Sequence, residues 1–427
     1  MIKNKNAILQ YFFIYLMIIL NQSHIYRLYI EPNKSVQIVI IGLLTIYLLY
    51  KYKFKASRAF FISVFILASI IFVRFIKGGV GVTMSYEIIM RVFVVYAAIL
   101  TNVDKFWTRF VKVVVFFAGI SIIGWVQQVA GLDIMRKIAP GHVDYRELVT
   151  WNTGYKVVTK RYVYGILLYT TSQLEPTRNV GIFTEPGIYQ MILNSAIFVL
   201  LFFNNTLYIT KKKIKKYLLI CIIALALTQS TSGYFGFAVI MLGVILSSNK
   251  ETRAIRKTML ILATVGIVVL CGDLAYRGDS SLLYKAILSK VFLDSGQFDI
   301  NASTGMYRMA SITMAIEAMI KHPLGLGVDR WVLFSSTNEL AGAGGWPFKL
   351  GAILGVVPFS VSMIWIFAPL RYIKKRWIEI AIIVFLYFNT AMAQTSAFYP
   401  TLIVVPIYLS LIKRDFKRFK REKFRYI

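Results

Sequence analysis

An arginine, a glutamate and a proline lie close together in the segment RNVGIFTEPG at 178–187. A helix is predicted to begin at Pro186, because the missing N–H of proline costs nothing at the first helical position. Glu185 would then lie at the amino end of that helix, where the helix dipole favours a carboxylate and free N–H groups bind phosphate. Arg178 adds a planar guanidinium that matches phosphate oxygens. The segment therefore suits a lipid diphosphate headgroup, and the alternative is an Arg178–Glu185 salt bridge that closes a loop.

A second pattern contains Arg308 and His322, which are fourteen residues apart. Apolar residues between them recur at helical spacing and predict a helix, which Pro323 should end at His322. The two polar residues then share a helix face, but they are about 21 Å apart along a straight axis at 1.5 Å per residue. Either the helix breaks, or the two residues contact different parts of a long substrate. His322 is a candidate general base, and the alternative for a lone histidine is a structural role. The recurring apolar residues are Met309, Ile312, Ile316 and Ile320.

The elements that must position these residues are strongly apolar. The chain has 427 residues, of which 58% are hydrophobic and 16% are charged, whereas average proteins are about 45–50% apolar and about 25% charged. The apolar residues form continuous blocks, and a helix of ~20 apolar residues spans a bilayer. The sequence therefore predicts an all-α polytopic integral membrane protein with about twelve transmembrane helices. The blocks lie near 7–21, 35–50, 58–76, 86–101, 109–130, 186–204, 217–230, 234–248, 258–272, 346–368, 378–392 and 399–412.

The net charge of +30 is concentrated in every second connection between the blocks. By the positive-inside rule, these basic connections and both termini are predicted to be cytoplasmic, and two long loops are predicted to be extracytoplasmic. Nucleic acid is not an expected partner, because no basic stripe is interleaved with a soluble fold. The predicted organisation is transmembrane helices 1–5 in 1–130, an extracytoplasmic loop with RNVGIFTEPG in 131–185, transmembrane helices 6–9 in 186–272, an extracytoplasmic helical loop in 273–345, transmembrane helices 10–12 in 346–412, and a basic cytoplasmic tail in 413–427.

Polar residues inside the predicted spans occur mainly at their outer ends. Charge within a membrane indicates function by default, which makes Arg91 in the fourth span a candidate ligand contact. Its alternative is a structural pair with Glu87, four residues earlier on the same helix face. Ser230 and Thr231 belong to a predicted tight outer turn between the seventh and eighth spans. Together these positions predict a polar cavity that opens outward.

The motifs of several other protein classes are absent from the sequence. It has neither a P-loop nor a dinucleotide fingerprint, and its three histidines form no cluster with cysteines, so no cofactor and no metal site are predicted. Cys221 and Cys271 both fall in apolar blocks and are predicted to be core residues rather than a disulfide.

Three segments together resemble a known family. RNVGIFTEPG at 178–187, QSTSGYFGF at 229–237 and YRMASITMAIEAMIKHPLGLG at 307–327 resemble the Wzy-type O-antigen and capsule polymerases, and more broadly the superfamily of O-antigen polymerases and ligases. The region 170–330 carries the resemblance, and the first four spans match by topology alone. The resemblance implies a GT-C-like helical fold.

The resemblance also implies a reaction at the bacterial inner (cytoplasmic) membrane. A polymerase of this kind transfers the growing glycan from undecaprenyl diphosphate to the next lipid-linked repeat unit, on the outer face, in the biosynthesis of lipopolysaccharide O-antigen or capsule. The glycosyl-diphosphate bond supplies the energy, so no metal is needed. The implied partners are the undecaprenyl-diphosphate-linked repeat units, the lipid bilayer, a chain-length regulator and a flippase.

The resemblance assigns roles to the candidate residues. The acceptor hydroxyl needs a base, and His322 or Glu185 could serve. The departing diphosphate needs positive charge where its negative charge develops. The candidates for diphosphate or substrate binding are Arg178, Arg308, Arg91, Ser230 and Thr231.

Two other functions share some of these features. A ligase of the same superfamily would join finished glycan to a different acceptor. A flippase or other transporter of lipid-linked oligosaccharide would contain paired discontinuous helices, charge at the membrane midplane and internal repeats. The sequence contains no clear repeat, and its charges lie at the outer edge.

Overall fold

The fold was examined in a computed structural model, which is mostly helical, as the composition predicts. It describes residues 2–52, 82–132, 134–138, 141–152, 155–172, 177–246, 271–278, 304–336, 345–373, 377–393 and 398–419, with scattered positions between 61 and 72 and between 261 and 284.

The amino-terminal part is a helical layer followed by a small sheet. Helix α3 packs against α1 and α2, and α4 packs against α1. Every residue of α3 from Met90 to Ile99 is buried, as expected for a helix that is apolar on all sides. The helices are α1 (Ile2–Ile19), α2 (Lys34–Tyr52), α3 (Val82–Thr101), α4 (Phe106–Val129) and the short α5 (Ile134–Ile138), with a π-helical turn at Tyr26–Ile30.

A three-stranded antiparallel sheet follows α5. The strands are β1 (Gly141–Asn152), β2 (Tyr155–Ile166) and β3 (Tyr169–Ser172), in the order β1-β2-β3. The predicted extracytoplasmic loop 131–185 thus contains strands that the all-α prediction did not include. Its aromatic and β-branched residues favour strands, and an antiparallel hairpin closes through local turns without help from neighbouring helices.

The carboxy-terminal part is built around α6, of which all but two residues are buried. Helix α6 packs against α4, α7, α8 and α13. The helices are α6 (Pro186–Phe202), α7 (Lys211–Leu227), α8 (Thr231–Leu246), α9 (Thr304–Lys321), α10 (Val328–Ser336), α11 (Phe348–Leu354), α12 (Val356–Phe367), α13 (Trp377–Ala393) and α14 (Pro400–Phe419), with short 3₁₀ turns at Asn204–Thr206 and Ala368–Tyr372.

Helices occur at the predicted apolar blocks, with one correction. The predicted third and ninth spans, 58–76 and 258–272, lie mostly outside the described residues. The predicted span 346–368 is divided into two helices, because the backbone breaks at Gly355, with φ of 96°, between α11 and α12. Such a conformation is open to glycine and strained for other residues.

Two described helices, at Lys34–Lys51 and Phe106–Val129, are long and apolar enough to cross a bilayer. Six further apolar helices are 10–17 residues long. Large apolar side chains also lie on the outside of the bundle, such as Leu43 at 65% exposure and Ile123 at 71%. Such side chains are tolerated in water singly and are favoured in lipid.

Both cysteines carry free thiols. Cys221 is buried, which confirms its predicted place in the core, whereas Cys271 is exposed, so the prediction of a core residue is wrong there. An apolar block does not reveal which of its faces packs inward.

Candidate functional site

The segment RNVGIFTEPG forms a loop that leads into α6. We call residues 178–185 the motif loop. The Asn179 N–H donates a hydrogen bond to the Leu227 carbonyl at 2.8 Å, at the end of α7. Just before the loop, the Thr177 carbonyl accepts one from the Trp125 indole of α4 at 2.8 Å. The start of the loop is therefore held between α4 and the carboxyl end of α7.

Arg178 is the first residue of the motif loop and is half-buried. Its Nε donates to the Thr228 carbonyl and its Nη2 to the Gln229 carbonyl, each at 3.1 Å. The last carbonyls of a helix lack helical partners and carry partial negative charge, so they attract a cation. The two bonds fix the guanidinium at the α7–α8 turn, beside Ser230 and Thr231.

Glu185 is the residue immediately before α6. Its backbone is extended, with φ of −141° and ψ of 139°, and Pro186 is the first helical residue, which confirms the predicted start of the helix. The Glu185 carbonyl accepts a hydrogen bond from the Ile188 N–H at 3.2 Å. Glu185 is half-buried at the amino end of the central helix.

The middle of the motif loop depends on glycine. Gly181 has φ of 61°, and a Cβ atom there would lie 3.0 Å from the ring of Tyr189. The side chain of Asn179 stabilises this turn, because its Oδ1 accepts from the Gly181 N–H and its Nδ2 donates to Ser121 Oγ, both at 3.0 Å. Ser121 Oγ also lies 2.7 Å from the Tyr189 hydroxyl. A buried polar network thus fixes the loop to α4 and α6.

The end of the motif loop pairs with the turn after α1. The His24 N–H donates to the Ile182 carbonyl at 3.0 Å, and Ser23 and Phe183 form an antiparallel bridge. Phe183 is 1% exposed. The turn that follows α1 therefore packs against the motif loop, a contact that the sequence analysis did not predict.

Arg91 contacts that turn and is 1% exposed. Its Nε donates to the Leu20 carbonyl at 3.2 Å, and its Nη2 is 3.2 Å from the Glu87 carboxylate. The rings of Tyr26 and Tyr399 lie 5.3 and 5.1 Å from the guanidinium carbon. Burial raises the pKa of the Tyr26 phenol, although Arg91 acts to lower it. The phenol is therefore neutral and its oxygen can accept a hydrogen bond. Of the two alternatives for Arg91, this geometry favours the structural pair.

The α7–α8 turn is confirmed as a tight turn. Gln229 has a left-handed backbone with φ of 49°, which ends α7. Ser230 is buried; its carbonyl accepts from the Tyr234 N–H at 2.9 Å, and its Oγ accepts from the Gly233 N–H at 3.4 Å. Ser230 therefore caps α8, of which Thr231 is the first residue.

Helices α6 and α8 run in parallel with their first turns side by side. A Cβ atom at Gly233 would lie 2.8 Å from Cβ of Gln190, and one at Gly236 would lie 2.8 Å from Nδ2 of Asn194. The residue numbers of both contacts increase in the same direction along the two helices, so the helices are parallel. The Asn194 amide also donates to the Gly233 carbonyl at 3.0 Å.

Four of the predicted site residues therefore meet at one end of the bundle: Arg178, Glu185, Ser230 and Thr231. The amino ends of two parallel helices lie there, and the positive ends of their dipoles add together. Arg178 contributes a full positive charge next to them. The arrangement can bind an anion such as a phosphate.

Arg308 lies in the first turns of α9 and His322 directly follows its last residue, and α9 packs against α11 and α13. Helix α9 is continuous and ends at Lys321, which confirms the stop predicted from Pro323. The His322 N–H donates to the Ala318 carbonyl at 2.8 Å, and the residue is half-buried. Because the helix does not break, the alternative that remains is contact with different parts of a long substrate.

The segment after His322 forms backbone hydrogen bonds with the residues on both sides of the break between α11 and α12. Gly325 has φ of 84°, and a Cβ atom there would lie 2.5 Å from the Ile353 carbonyl oxygen. Backbone groups that the break would leave without partners are thereby satisfied. The bonds run from Leu326 N–H to Ala352 O at 2.9 Å, from Gly327 N–H to Ile353 O at 3.0 Å, and from Val356 N–H to Pro323 O at 2.9 Å.

The sequence analysis missed Lys349. This residue lies in α11, and its Nζ is 5.8 Å from the ring centroid of Trp331 on α10. The available signal was a lysine inside a predicted span, since charge within a membrane indicates function.

Comparisons with protein-family models, with curated proteins and with solved structures find no match to this chain.

Proposed function

We propose that the chain is a membrane-embedded polysaccharide polymerase of the Wzy type. It transfers the growing glycan from undecaprenyl diphosphate to the next lipid-linked repeat unit, at the outer face of the bacterial cytoplasmic membrane. The observation that carries the proposal is the meeting of Arg178 with the amino ends of the parallel helices α6 and α8, because this arrangement suits a diphosphate.

The apolar character of the chain supports a place in the membrane. Two helices have the length and composition to cross a bilayer, and six shorter helices are also apolar. Lysines cluster at one end of α7, as in the run Lys211–Lys216, whereas its opposite end carries the polar turn with Ser230. The twelve-span topology, the GT-C-like arrangement and the cytoplasmic termini are parts of the proposal.

Binding of the diphosphate is the first task of the proposed site. Arg178 is held by two carbonyl groups, so its charge needs no reorganisation when the diphosphate leaves. Arg308 lies on a different helix and supplies positive charge to another part of the substrate. Arg91 acts indirectly, by supporting the turn that pairs with the motif loop.

The transfer itself is a substitution at the anomeric carbon. His322 or Glu185 takes the proton from the acceptor hydroxyl, and the hydroxyl oxygen forms the new glycosidic bond. The bond between the anomeric carbon and the diphosphate oxygen breaks, and the diphosphate leaves with the electron pair. A single displacement of this kind inverts the anomeric configuration.

Arg178→Lys tests the proposed diphosphate site. Lysine keeps the charge but cannot reproduce the planar donor pair that binds the Thr228 and Gln229 carbonyls. We expect polymer formation by the purified protein from lipid-linked repeat units to fall about 100-fold, the usual effect of losing one oriented donor. Arg371→Lys, on an exposed arginine, is the matched control. Full activity of Arg178→Lys at normal expression would refute this assignment.

The break at Gly355 favours a second candidate function, since transporters bind substrates at discontinuous helices. The hydrogen bonds from residues 323–327 close this break, however, which weakens that candidate. A deletion strain separates the functions. Loss of a polymerase leaves single repeats on the surface or on lipid, loss of a ligase leaves long polymer on lipid, and loss of a transporter leaves repeats on the cytoplasmic side.

A further inference from the structure

Lys349 is a half-buried cation in α11, which packs against α9 and α10. Its backbone N–H donates to the Gly345 carbonyl at 3.1 Å, so it lies in a regular helical turn. Its ammonium faces the ring of Trp331, which is 4% exposed. Among the residues that the structure describes, no carboxylate forms an ion pair with Lys349 and no side-chain hydrogen bond to it occurs.

This isolation has an energetic consequence. A charged group removed from water is stable only when it is paired or hydrogen-bonded. The cation–π contact with Trp331 offsets only part of the cost of removing the ammonium from water. An anion bound beside Lys349 would offset the rest of that cost. The lysine is therefore suited to receive an anion.

The position of Lys349 links the two ends of α9. Helices α9 and α11 run in parallel, since a Cβ atom at Gly345 would contact Ser311 and one at Gly351 would contact Met319. Lys349 therefore lies level with the middle of α9. At 1.5 Å per residue, it is about 10 Å along the axis from both Arg308 and His322.

The surroundings also connect Lys349 to the segment that follows His322. Trp331 is in the first turn of α10, and its N–H donates to the Gly327 carbonyl at 3.1 Å. The Gly327 N–H also donates a hydrogen bond to the carbonyl of Ile353, which lies in α11 like Lys349. The lysine and the tryptophan thus belong to the same rigid unit as His322.

We infer that Lys349, with Trp331 beside it, binds an oxyanion of the glycolipid substrate midway between Arg308 and His322. The oxyanion is a phosphate of the lipid diphosphate or a carboxylate of an acidic sugar. The inference deepens the proposed function and rests on it for the identity of the substrate, but its test does not depend on polymer formation.

Lys349→Met removes the charge and keeps an unbranched side chain of similar length against Trp331. We expect it to weaken oxyanion binding about tenfold or more, as for loss of a hydrogen bond to a charged group. The thermal unfolding temperature should stay unchanged or rise, because the variant removes a half-buried charge that has no ion pair among the described residues. Lys349→Arg should retain part of the binding. Lys212→Met, on an exposed lysine, is the matched control for net charge.

Two probes separate the sources of the oxyanion, and binding of each to the full-length protein in detergent is measured. One probe is farnesyl diphosphate, which has phosphates and no sugar, and the other is an oligosaccharide that contains glucuronic acid and no phosphate. Dependence on Lys349 for either probe supports the inference and identifies the group. Equal binding by wild type and Lys349→Met for both probes overturns it. A large fall in the unfolding temperature of Lys349→Met also overturns it, since the ammonium would then have a structural partner.

Polymer formation gives an independent result for the proposed function. If wild type and Lys349→Met make polymer with equal KM, the proposed function stands and the inference about Lys349 fails. If wild type makes no polymer but binds a probe through Lys349, the oxyanion site stands and the proposed function fails. A higher KM with little change in kcat is the result expected if both are correct.

Discussion

The bundle contains two regions in which cations are taken out of water, and they treat those cations differently. At the amino ends of α6 and α8, Arg178 is hydrogen-bonded to the two carbonyls that follow α7, and Arg91 is bonded to a carbonyl and a carboxylate. On α11, Lys349 has the ring of Trp331 beside it and no ion pair with a carboxylate among the described residues.

This difference distinguishes cations that stabilise the fold from cations that can bind a ligand. A buried cation whose donors are used by the protein holds elements together, and its removal leaves other groups without partners. A half-buried cation such as Lys349, which has no ion pair among the described residues, contributes less to the fold and can bind a ligand. Arg178 belongs to both classes in the proposed site, because its bonds fix a charge that then acts on the diphosphate.

The largest contrast is expected between Arg91→Leu and Lys349→Met in thermal unfolding of the purified protein. Arg91→Leu leaves Glu87 without its cation and the Leu20 carbonyl without its donor, so it should destabilise the protein by about 3 kcal/mol or more. Lys349→Met should be neutral or stabilising.

Similar losses of stability in the two variants would contradict the proposed difference between the two regions. Arg91→Lys tests the same difference with a smaller change. A single ammonium can retain the pair with Glu87 but not the whole guanidinium arrangement, so the loss should lie between those of wild type and Arg91→Leu.

A smaller effect is expected from Gly325→Ala. The new Cβ atom would lie 2.5 Å from a backbone oxygen, at a positive φ, so the segment after His322 must shift from the α11–α12 break. We expect a loss of about 2 kcal/mol, within the range for strained backbone positions. Gly119→Ala is the control, since a Cβ atom there meets no atom within 4 Å and the residue lies in α4. Equal unfolding temperatures for both variants would mean that the segment is not held rigidly.

Local rules predicted the ends of the site elements correctly. Pro186 begins α6 because proline fits the first helical position, and α9 ends before Pro323 because the residue before proline avoids helical geometry. The polar turn at 229–232 also agrees with the sequence, since Ser230 is a good cap. These features depend on a few neighbouring residues, so the sequence contains what determines them.

Tertiary features were beyond the same reasoning. Hydrophobic composition does not distinguish a continuous helix from one broken at Gly355, because both bury apolar side chains. The sheet at 141–172 was missed because the helical class of the rest of the chain was extended to it, although its aromatic and β-branched residues favour strands. The Glu87 partner of Arg91 follows from local spacing, but its contacts with Leu20 and Tyr399, like the surroundings of Lys349, depend on residues far apart in the sequence.

The smallest effect is expected from a pair of glycines with similar backbones. Gly181 and Gly131 have φ of 61° and 73°, but only at Gly181 would a Cβ atom approach another residue, the ring of Tyr189 at 3.0 Å. Each alanine variant should cost about 1 kcal/mol for the positive φ, and Gly181→Ala should cost a few tenths to 1 kcal/mol more. The difference in unfolding free energy measures how firmly the motif loop is packed. Equal costs would indicate a loop that moves away from Tyr189 freely.

Both Arg178 and His322 must face the non-cytosolic side if they act on flipped glycolipids. Their neighbours Thr177 and Leu324 are exposed, so a cysteine at either position can be labelled without replacing the proposed site residues. The variants Thr177→Cys and Leu324→Cys are made in a cysteine-free background. Each is treated with a membrane-impermeant maleimide in intact cells or spheroplasts.

Lys212→Cys, in the basic end of α7, provides the cytoplasmic control in the same background. We predict that the cysteines at positions 177 and 324 react from outside, and that the one at 212 reacts only after the membrane is permeabilised. Labelling of 212 from outside, with protection of 177 and 324 until permeabilisation, would contradict the proposed polymerase, because the cationic site would then lie on the side where flipped glycolipids are absent.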